Sequence, residues 1–269
     1  MDRTLSAVLA VLAVVFVIFL AAISMALYTE ITYRATLLST YEYRVTITSD
    51  TTLENVTLYV PIPARGRENS AVLSAIGAGE LRGLPPGWNT SLIGTEKITM
   101  LELTAPEIAA NPVGVPYLLS VTAHSGGPID TMNAGTGDLV LAPSAVKTPV
   151  GCENMDFQVS SDTRCELYQG SAYADFTAPG NVHLSVFGFL TGRNTWDVFG
   201  PSSNEYQDGL QVSFSGGARG WQKGDGILVT GIGDYGIEFW LPHPGTPEAG
   251  ARSQGRSPGS PRGTGEGQA

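Results

Sequence analysis

The sequence predicts a mainly β protein, an antiparallel β-sandwich (one large or two small) behind a single N-terminal transmembrane helix, with a disordered C-terminal tail. An uncharged apolar run extends from Leu5 to Leu27. Short segments beyond it alternate apolar and polar residues with a period of two, which is typical of half-buried strands. The last segment is rich in Gly, Pro, Ser and Arg and lacks large apolar residues. We therefore expect an anchor over 1–28, a β region over 29–243 and a tail over 244–269.

The apolar run is long enough to cross a membrane. As a helix it would measure about 34 Å at roughly 1.5 Å per residue, which exceeds the roughly 30 Å hydrocarbon core of a bilayer. A cleaved secretory signal has a shorter apolar core and a small-residue cleavage site. Ser24–Ala26 resembles such a site, so cleavage is the alternative. A lipoprotein would need a cysteine just after the run, and the first one is Cys152. We expect an uncleaved signal anchor in contact with the lipid bilayer through Leu5–Leu27.

The charges that flank the run do not determine its orientation. Arg3 lies on the short side, and Arg34 and Arg44 lie on the long side, so the positive-inside rule gives a nearly even result. The orientation must therefore come from the residues that follow.

Two kinds of feature place the long side of the chain outside the cytoplasm. The only two cysteines, Cys152 and Cys165, have a short spacing that suggests a disulfide, although two free thiols are the alternative. Asn55 and Asn89 each begin an Asn-x-Ser/Thr acceptor triplet for glycosylation. We therefore expect a single-pass protein of the cell membrane, with its N-terminus cytoplasmic and its C-terminal domain extracytoplasmic.

The composition excludes several classes of partner. The formal net charge is −10 and the chain has no basic stripe, so we expect no nucleic-acid partner. The three histidines are scattered, and the cysteine pair alone does not supply the four ligands of a zinc site. Asp225 and Asp234 flank one predicted strand, but we interpret them as turn residues because the sequence lacks a calcium-loop motif. We expect neither a metal nor a cofactor.

The clearest β element is a predicted long hairpin. Tyr43, Val45 and Ile47 alternate with polar residues, the 49–52 segment has turn chemistry, and a second alternating run extends from Val56 to Ile62. A short helical turn is expected at Ala71–Ile76, and the β region could divide near 142–150. Further strands are expected at Ile98–Leu103, Tyr117–Ala123, Leu139–Leu141, Val182–Leu190, Leu210–Phe214, Ile227–Val229 and Ile237–Leu241.

A stretch rich in aromatic and polar residues extends from Gly192 to Tyr206. Exposed aromatic rings flanked by Asn, Asp and Arg are suited to stacking on sugar rings and bonding their hydroxyls. The alternative, which we favour, is that Trp196, Phe199 and Trp221 pack in the core or its loops. The speculative ligand-binding residues are Arg193, Asn194, Trp196, Asp197, Tyr206 and Trp221.

The same stretch carries a family resemblance. Residues 192–206, read with Gly220-Trp221 and the Gly-Asp-Tyr-Gly sequence at 233–236, resemble the C-terminal part of uncharacterised membrane-anchored surface proteins of archaea. The resemblance covers the last hundred or so residues before the tail and implies no activity. It implies that Arg193, Asn194 and Trp196 belong to a structured loop.

Motifs for catalysis are weak in this sequence. The glycine spacing at 231–236 matches a dinucleotide fingerprint, but a strand is predicted after it where the fingerprint requires a helix, so we expect a tight hairpin. Neither a nucleophile elbow nor a metalloprotease motif is present. We do not expect an enzyme.

The leading hypothesis is a structural or interaction role at the cell surface, with an envelope protein or glycan as partner. A carbohydrate- or ligand-binding module is the first alternative, and an envelope hydrolase is the second.

Overall fold

The computed structural model describes residues 3–65, 70–94, 99–111, 115–152, 161–216 and 219–235. The predicted tail 244–269 and the strand predicted at Ile237–Leu241 lie outside these residues. The elements in chain order are α1 (Arg3–Thr36), β1 (Leu38–Ser49), β2 (Leu53–Pro61), α2 (Ala71–Gly77), β3 (Asn89–Gly94), β4 (Thr99–Ile108), β5 (Tyr117–His124), α3 (Ala134–Gly137), β6 (Thr148–Val150), β7 (Arg164–Thr177), β8 (His183–Asp197), β9 (Pro201–Ser215) and β10 (Gly220–Gly233).

Helix α1 contains the predicted apolar run and continues beyond Leu27 to Thr36. Within the described residues it is the one helix long and apolar enough to cross a membrane, and its most apolar window has a mean hydropathy of 3.1. The large apolar side chains between Leu5 and Leu27 are exposed. Such a surface is stable only in apolar surroundings, because exposing it to water would cost roughly 25 cal/mol per Å².

The strands form one antiparallel sheet, which confirms the predicted mainly β, antiparallel class. Their order is β3-β4-β2-β7-β10-β9-β8-β1-β5, and β6 adds to β7. Strands from both sides of residues 142–150 pair within this sheet, for example β1 with β8 and β2 with β7. The sheet curls so that apolar residues from nearly all its strands meet in one core.

The predicted pairing of the first two strands is wrong, although both strands exist. β1 pairs with β5 and β8, whereas β2 pairs with β4 and β7. The two strands instead face each other across the core, where the Tyr43 hydroxyl donates a hydrogen bond to the Pro61 carbonyl (2.7 Å). In this arrangement both strands bury their apolar sides in the core. Their backbone groups form hydrogen bonds with other strands, those of β1 with β5 and β8 and those of β2 with β4 and β7.

Two interior tyrosine rings lie against glycines on the neighbouring strand. A Cβ atom built on Gly192 would lie 2.1 Å from the Tyr206 ring, and one on Gly226 would lie 2.3 Å from the Tyr168 ring. Both glycines are the direct cross-strand partners of these tyrosines. The missing side chains therefore provide the space into which the rings pack.

The other predicted elements are partly confirmed. β5 has nearly its predicted bounds, and the short helix appears as α2, where the Ser70 hydroxyl caps the Leu73 N–H (3.0 Å). The segment 139–141 makes only an isolated bridge, between Val140 and Ala64. A tight hairpin is expected at 231–236, but Gly231 and Gly233 belong to β10, which has a bulge between Val229 and Ile232. The chain therefore does not turn at these two glycines. β3, β6 and β7 are not predicted by the sequence.

Candidate functional site

The end of α1 packs directly onto the β sheet. The Tyr33 ring meets the Trp196 ring edge to face at 5.6 Å, and the two side chains are 7% and 3% exposed. The Asp197 N–H donates a hydrogen bond to the Thr36 hydroxyl (3.0 Å). The Trp196 indole N–H has no hydrogen-bond acceptor among the described residues, so Trp196 contributes packing at this junction. The helix is therefore attached to the sheet in two ways, by the chain that leads into β1 and by side-chain contacts with β8.

The β8–β9 turn extends this junction along the helix. Val198 is buried, whereas Phe199 at the tip is 65% exposed. The Phe199 ring lies 6.1 Å from the ring of Tyr28. Gly200 has a φ of 139°, a conformation that glycine adopts readily, and this allows the tight reversal. The tip thus lies beside the residue that directly follows the apolar run.

A buried polar network holds a loop against the strands next to the junction. The Asn194 amide bonds to both the N–H and the carbonyl of Ile129 (3.0 and 2.8 Å) and to the Asn204 side chain (2.9 Å). Ser39 and Thr131 complete the network through Asn194 and Asn204 respectively. Asn194 and Asn204 are both fully buried. Their hydrogen-bonding groups are used within the fold, which gives these side chains a structural role.

The six predicted ligand-binding residues do not form one surface. Four of them lie on β8, where Asn194 and Trp196 face inward and Arg193 and Asp197 are exposed. The expected loop at 193–196 is wrong, because these residues continue a regular strand that pairs with β1 and β9.

The remaining predicted residues have different surroundings. The half-exposed Arg193 forms an ion pair with the largely buried Glu205, and ion pairs near the surface typically contribute about 0–1 kcal/mol. Tyr206 is fully buried and donates a hydrogen bond to the Leu139 carbonyl (2.5 Å). Trp221 lies at the start of β10 and is 52% exposed. Trp221 is therefore the predicted aromatic residue that a ligand could reach.

Trp221 belongs to a row of three aromatic residues on the outer face of the sheet, which we call the outer aromatic row. It pairs across strands with Tyr173, which pairs in turn with Tyr59. The two tyrosine rings stack with centroids 4.8 Å apart, and Trp221 meets Tyr173 edge to face at 5.6 Å. The sequence gives no sign of this row, because the three residues lie far apart in the chain and meet only through the strand register.

Polar groups flank the outer aromatic row. Glu102 is the partner of Tyr59 on β4 and bonds to the Ser91 hydroxyl on β3. Partial desolvation and the charge of Glu102 raise the pKa of Tyr59. Asp175 and Lys223 lie two residues along their strands from Tyr173 and Trp221 respectively. Aromatic faces with carboxylate and ammonium groups nearby are suited to a sugar, but cross-strand rings also stabilise sheets without any ligand.

The interior contains a second polar cluster around residues 138–141. The buried Asp208 carboxylate accepts hydrogen bonds from the Leu141 N–H (2.7 Å) and from the Tyr168 hydroxyl. Burial raises the pKa of Asp208 to about 6. Asp138 accepts from the Leu139 N–H (2.7 Å) and the Tyr41 hydroxyl, and burial raises its pKa too. Each carboxylate is held by backbone and tyrosine donors, so this cluster ties the 138–141 segment to the sheet.

The cysteines and the acceptor asparagines lie apart from these features. Cys152 and Cys165 form the predicted disulfide, with Cα atoms 5.6 Å apart. It packs with Val229 on the outer face of the sheet. Asn55 lies at a bulge in β2 with a φ of 52°, Asn89 begins β3, and both side chains are exposed.

Across the described ranges, no group of three or more His, Cys, Asp or Glu side chains is placed to hold a metal ion. No protein-family model, no curated protein and no solved structure matches this chain. Any function must therefore be argued from the residues themselves.

Proposed function

We propose that this protein is a single-pass membrane protein whose helix α1 holds a β domain at the extracytoplasmic surface for a structural or interaction role. The observation that carries the proposal is the continuity of α1, which runs from the exposed apolar segment into the packed contact of Tyr33 with Trp196. A cleaved signal would have no need of a packed junction with the domain that it exports. We include in this proposal the resemblance of residues 192–206 to membrane-anchored surface proteins of archaea.

The disulfide and the acceptor asparagines support the extracytoplasmic placement. Disulfides persist in oxidising compartments and are rare in the cytosol, and Cys152 is bonded to Cys165. Asn55 and Asn89 are exposed, so glycans on either side chain would extend into solvent.

Alkaline extraction of membranes tests the anchor. The full chain should remain in the membrane pellet after carbonate treatment, and mass spectrometry should find the apolar run still attached. A control with Val14→Arg and Ile18→Arg places two charges in the run, at a cost of roughly 2.5–3.5 kcal/mol each in the bilayer centre, and should be released. A mature chain that begins near Ala26 would refute the anchor and support a cleaved signal.

A second candidate function is carbohydrate binding by the outer aromatic row. The observation that favours it is the 52% exposure of Trp221, beside two further rings and the Glu102 carboxylate. A pyranose ring could stack on the indole while its hydroxyls bond to the flanking polar groups. The sequence suggests Trp196 as the central aromatic residue of a carbohydrate site, but Trp196 is buried. In the present proposal Trp221 has that role.

A glycan array with two variants tests this second function. Trp221→Ala should abolish binding, because it removes the exposed ring. Phe187→Ala is the matched control, since Phe187 is a 36% exposed outward ring on β8, away from the row. Equal loss in both variants, or no binding by the unaltered protein to any glycan, would reject carbohydrate binding and leave the anchoring proposal unaffected.

A further inference from the structure

The positions of the charged residues indicate where α1 leaves the hydrocarbon core of a bilayer. After Arg3 the first charged residue of the chain is Glu30, which pairs with Arg34 one turn later. Leu27 is the last residue of the apolar run. Charged side chains are expensive in the membrane core, so the boundary between hydrocarbon and water lies between Leu27 and Glu30. Tyr28 is at that boundary, in the position where aromatic residues concentrate in membrane proteins.

The β8–β9 turn runs back along the helix toward this boundary. Asp197 contacts Thr36, Trp196 contacts Tyr33, and Phe199 lies beside Tyr28. Thr36 and Tyr28 are eight residues apart, which is about 12 Å along a helix. The turn therefore extends about two helical turns toward the bilayer from the point where α1 meets the sheet.

The exposure of Phe199 is otherwise unexplained. It is 65% exposed while its neighbours Val198 and Trp196 are buried. A large apolar ring at the tip of a tight turn gains nothing in water. The same ring at the depth of Tyr28 would be removed from water by the headgroup region of a bilayer.

We propose that Phe199 inserts into the interfacial layer of the bilayer beside Tyr28. The β domain then has two points of contact with the membrane, the helix and the turn at 198–200. The turn restricts the tilt of the domain and directs the β8–β9 end of the sheet toward the lipid. The opposite end of these strands, where β8 begins and β9 ends, faces away from the membrane. The partner of this surface is lipid, because the surface is continuous with the membrane-spanning helix.

This inference rests on the proposed membrane anchor, and depth-dependent fluorescence quenching separates the two. The full-length chain is reconstituted in phosphatidylcholine vesicles with its disulfide intact. Three variants, each with one added free cysteine, carry the same environment-sensitive label: Phe199→Cys at the tip, Val14→Cys in the apolar run, and Ser213→Cys. Ser213 is an exposed residue at the far end of β9 and serves as the water-facing control.

Lipids that carry a nitroxide near the headgroup should quench the label at position 199 at least twofold more than the label at 213, and its emission should shift to the blue. Quenching at 199 equal to that at 213, with strong quenching at 14 by nitroxides deep in the acyl chains, would overturn the insertion of Phe199 and leave the anchor intact. Loss of quenching at position 14 would instead overturn the anchor. Unchanged thermal unfolding of the Phe199→Ser variant in detergent is also expected, and a large loss would show that Phe199 packs within the fold.

Discussion

Replacing the buried Asp208 with asparagine should change how the stability of the β domain depends on pH. The Asp208 carboxyl is fully buried, and burial raises its pKa to about 6 from the ordinary value of 3.8. The folded state therefore holds this proton more tightly than the unfolded state does. Its stabilising effect is complete below the unfolded pKa and is lost as the pH rises through the folded pKa. The free energy of unfolding should thus fall between about pH 4 and pH 6.

The size of the effect follows from the shift in pKa. One pKa unit corresponds to 1.36 kcal/mol, so a shift of about two units gives a fall of about 3 kcal/mol. An asparagine keeps an acceptor for the Leu141 N–H and cannot ionise, so Asp208→Asn should remove most of this fall. At pH 7 the variant should be more stable than the unaltered protein by about 1–3 kcal/mol, after a cost of about 1 kcal/mol for the rearranged hydrogen bonds.

Urea unfolding in detergent, followed by tryptophan fluorescence between about pH 4.5 and pH 7.5, measures these differences. Asp138 also has a raised pKa, so a smaller fall in the same direction should persist in the variant. Asp50→Asn is the control, because a hydrogen bond from the His183 backbone lowers the pKa of Asp50 from 3.8. Asp50 is therefore ionised in both the folded and the unfolded state over this range, and its replacement should leave the pH dependence of stability unchanged. An Asp208→Asn variant with the same pH profile as the unaltered protein would refute this account of the buried carboxyl.

Three further predictions concern stability. Replacing Cys152 and its partner cysteine with serine should lower the free energy of unfolding by about 3 kcal/mol in the chain-entropy model, measured by urea unfolding. Gly192→Ala should destabilise the protein by about 1–3 kcal/mol or more in thermal unfolding, because its Cβ would lie 2.1 Å from the Tyr206 ring. A double-mutant cycle of Tyr59→Ala and Tyr173→Ala should give a coupling energy of about 0.5–1.5 kcal/mol, because the rings stack.

Each of these predictions has a matched control. Under reducing conditions the free energy of unfolding of the unaltered protein should fall to that of the double serine variant. A remaining difference between the two would show that the packing of the cysteine side chains also contributes. Gly126→Ala should be nearly neutral, since nothing lies within 4 Å of its Cβ position. If it costs as much as Gly192→Ala, the steric explanation fails. The pair Tyr59→Ala and Phe187→Ala should be additive, because these rings lie on different strands that do not pair.

The sequence predicts strands well where the inward positions carry large apolar side chains. The middle of β1 carries Tyr43, Val45 and Ile47 at alternate positions and is predicted, whereas its two ends have serine at the inward positions. β5 is predicted nearly in full. β7 is not predicted because Gly170, Ala172 and Ala174 occupy the inward positions in its middle, between the large core residues Tyr168 and Phe176. The absence of a side chain at Gly170 makes room for Leu210 from a nearby strand. The end of β8 is missed for a related reason, since Gly192 and Asn194 occupy inward positions there.

The candidate site is less predictable because it depends on long-range register. The burial of Trp196 results from the packing of Tyr33, on a helix that continues past its apolar run. Tyr59 and Tyr173 join Trp221 only because β2, β7 and β10 are neighbours in the sheet. Local periodicity contains no information about which strands pair, so neither arrangement follows from the sequence alone.

The orientation of the β domain in intact cells tests the central claim most directly. The Ser213→Cys variant offers one free thiol on an exposed face of β9, while the native cysteines are bonded to each other. A membrane-impermeant maleimide should label this thiol in intact cells as fully as it does after lysis. Labelling that appears only after the membrane is permeabilised would place the domain in the cytoplasm and contradict the account.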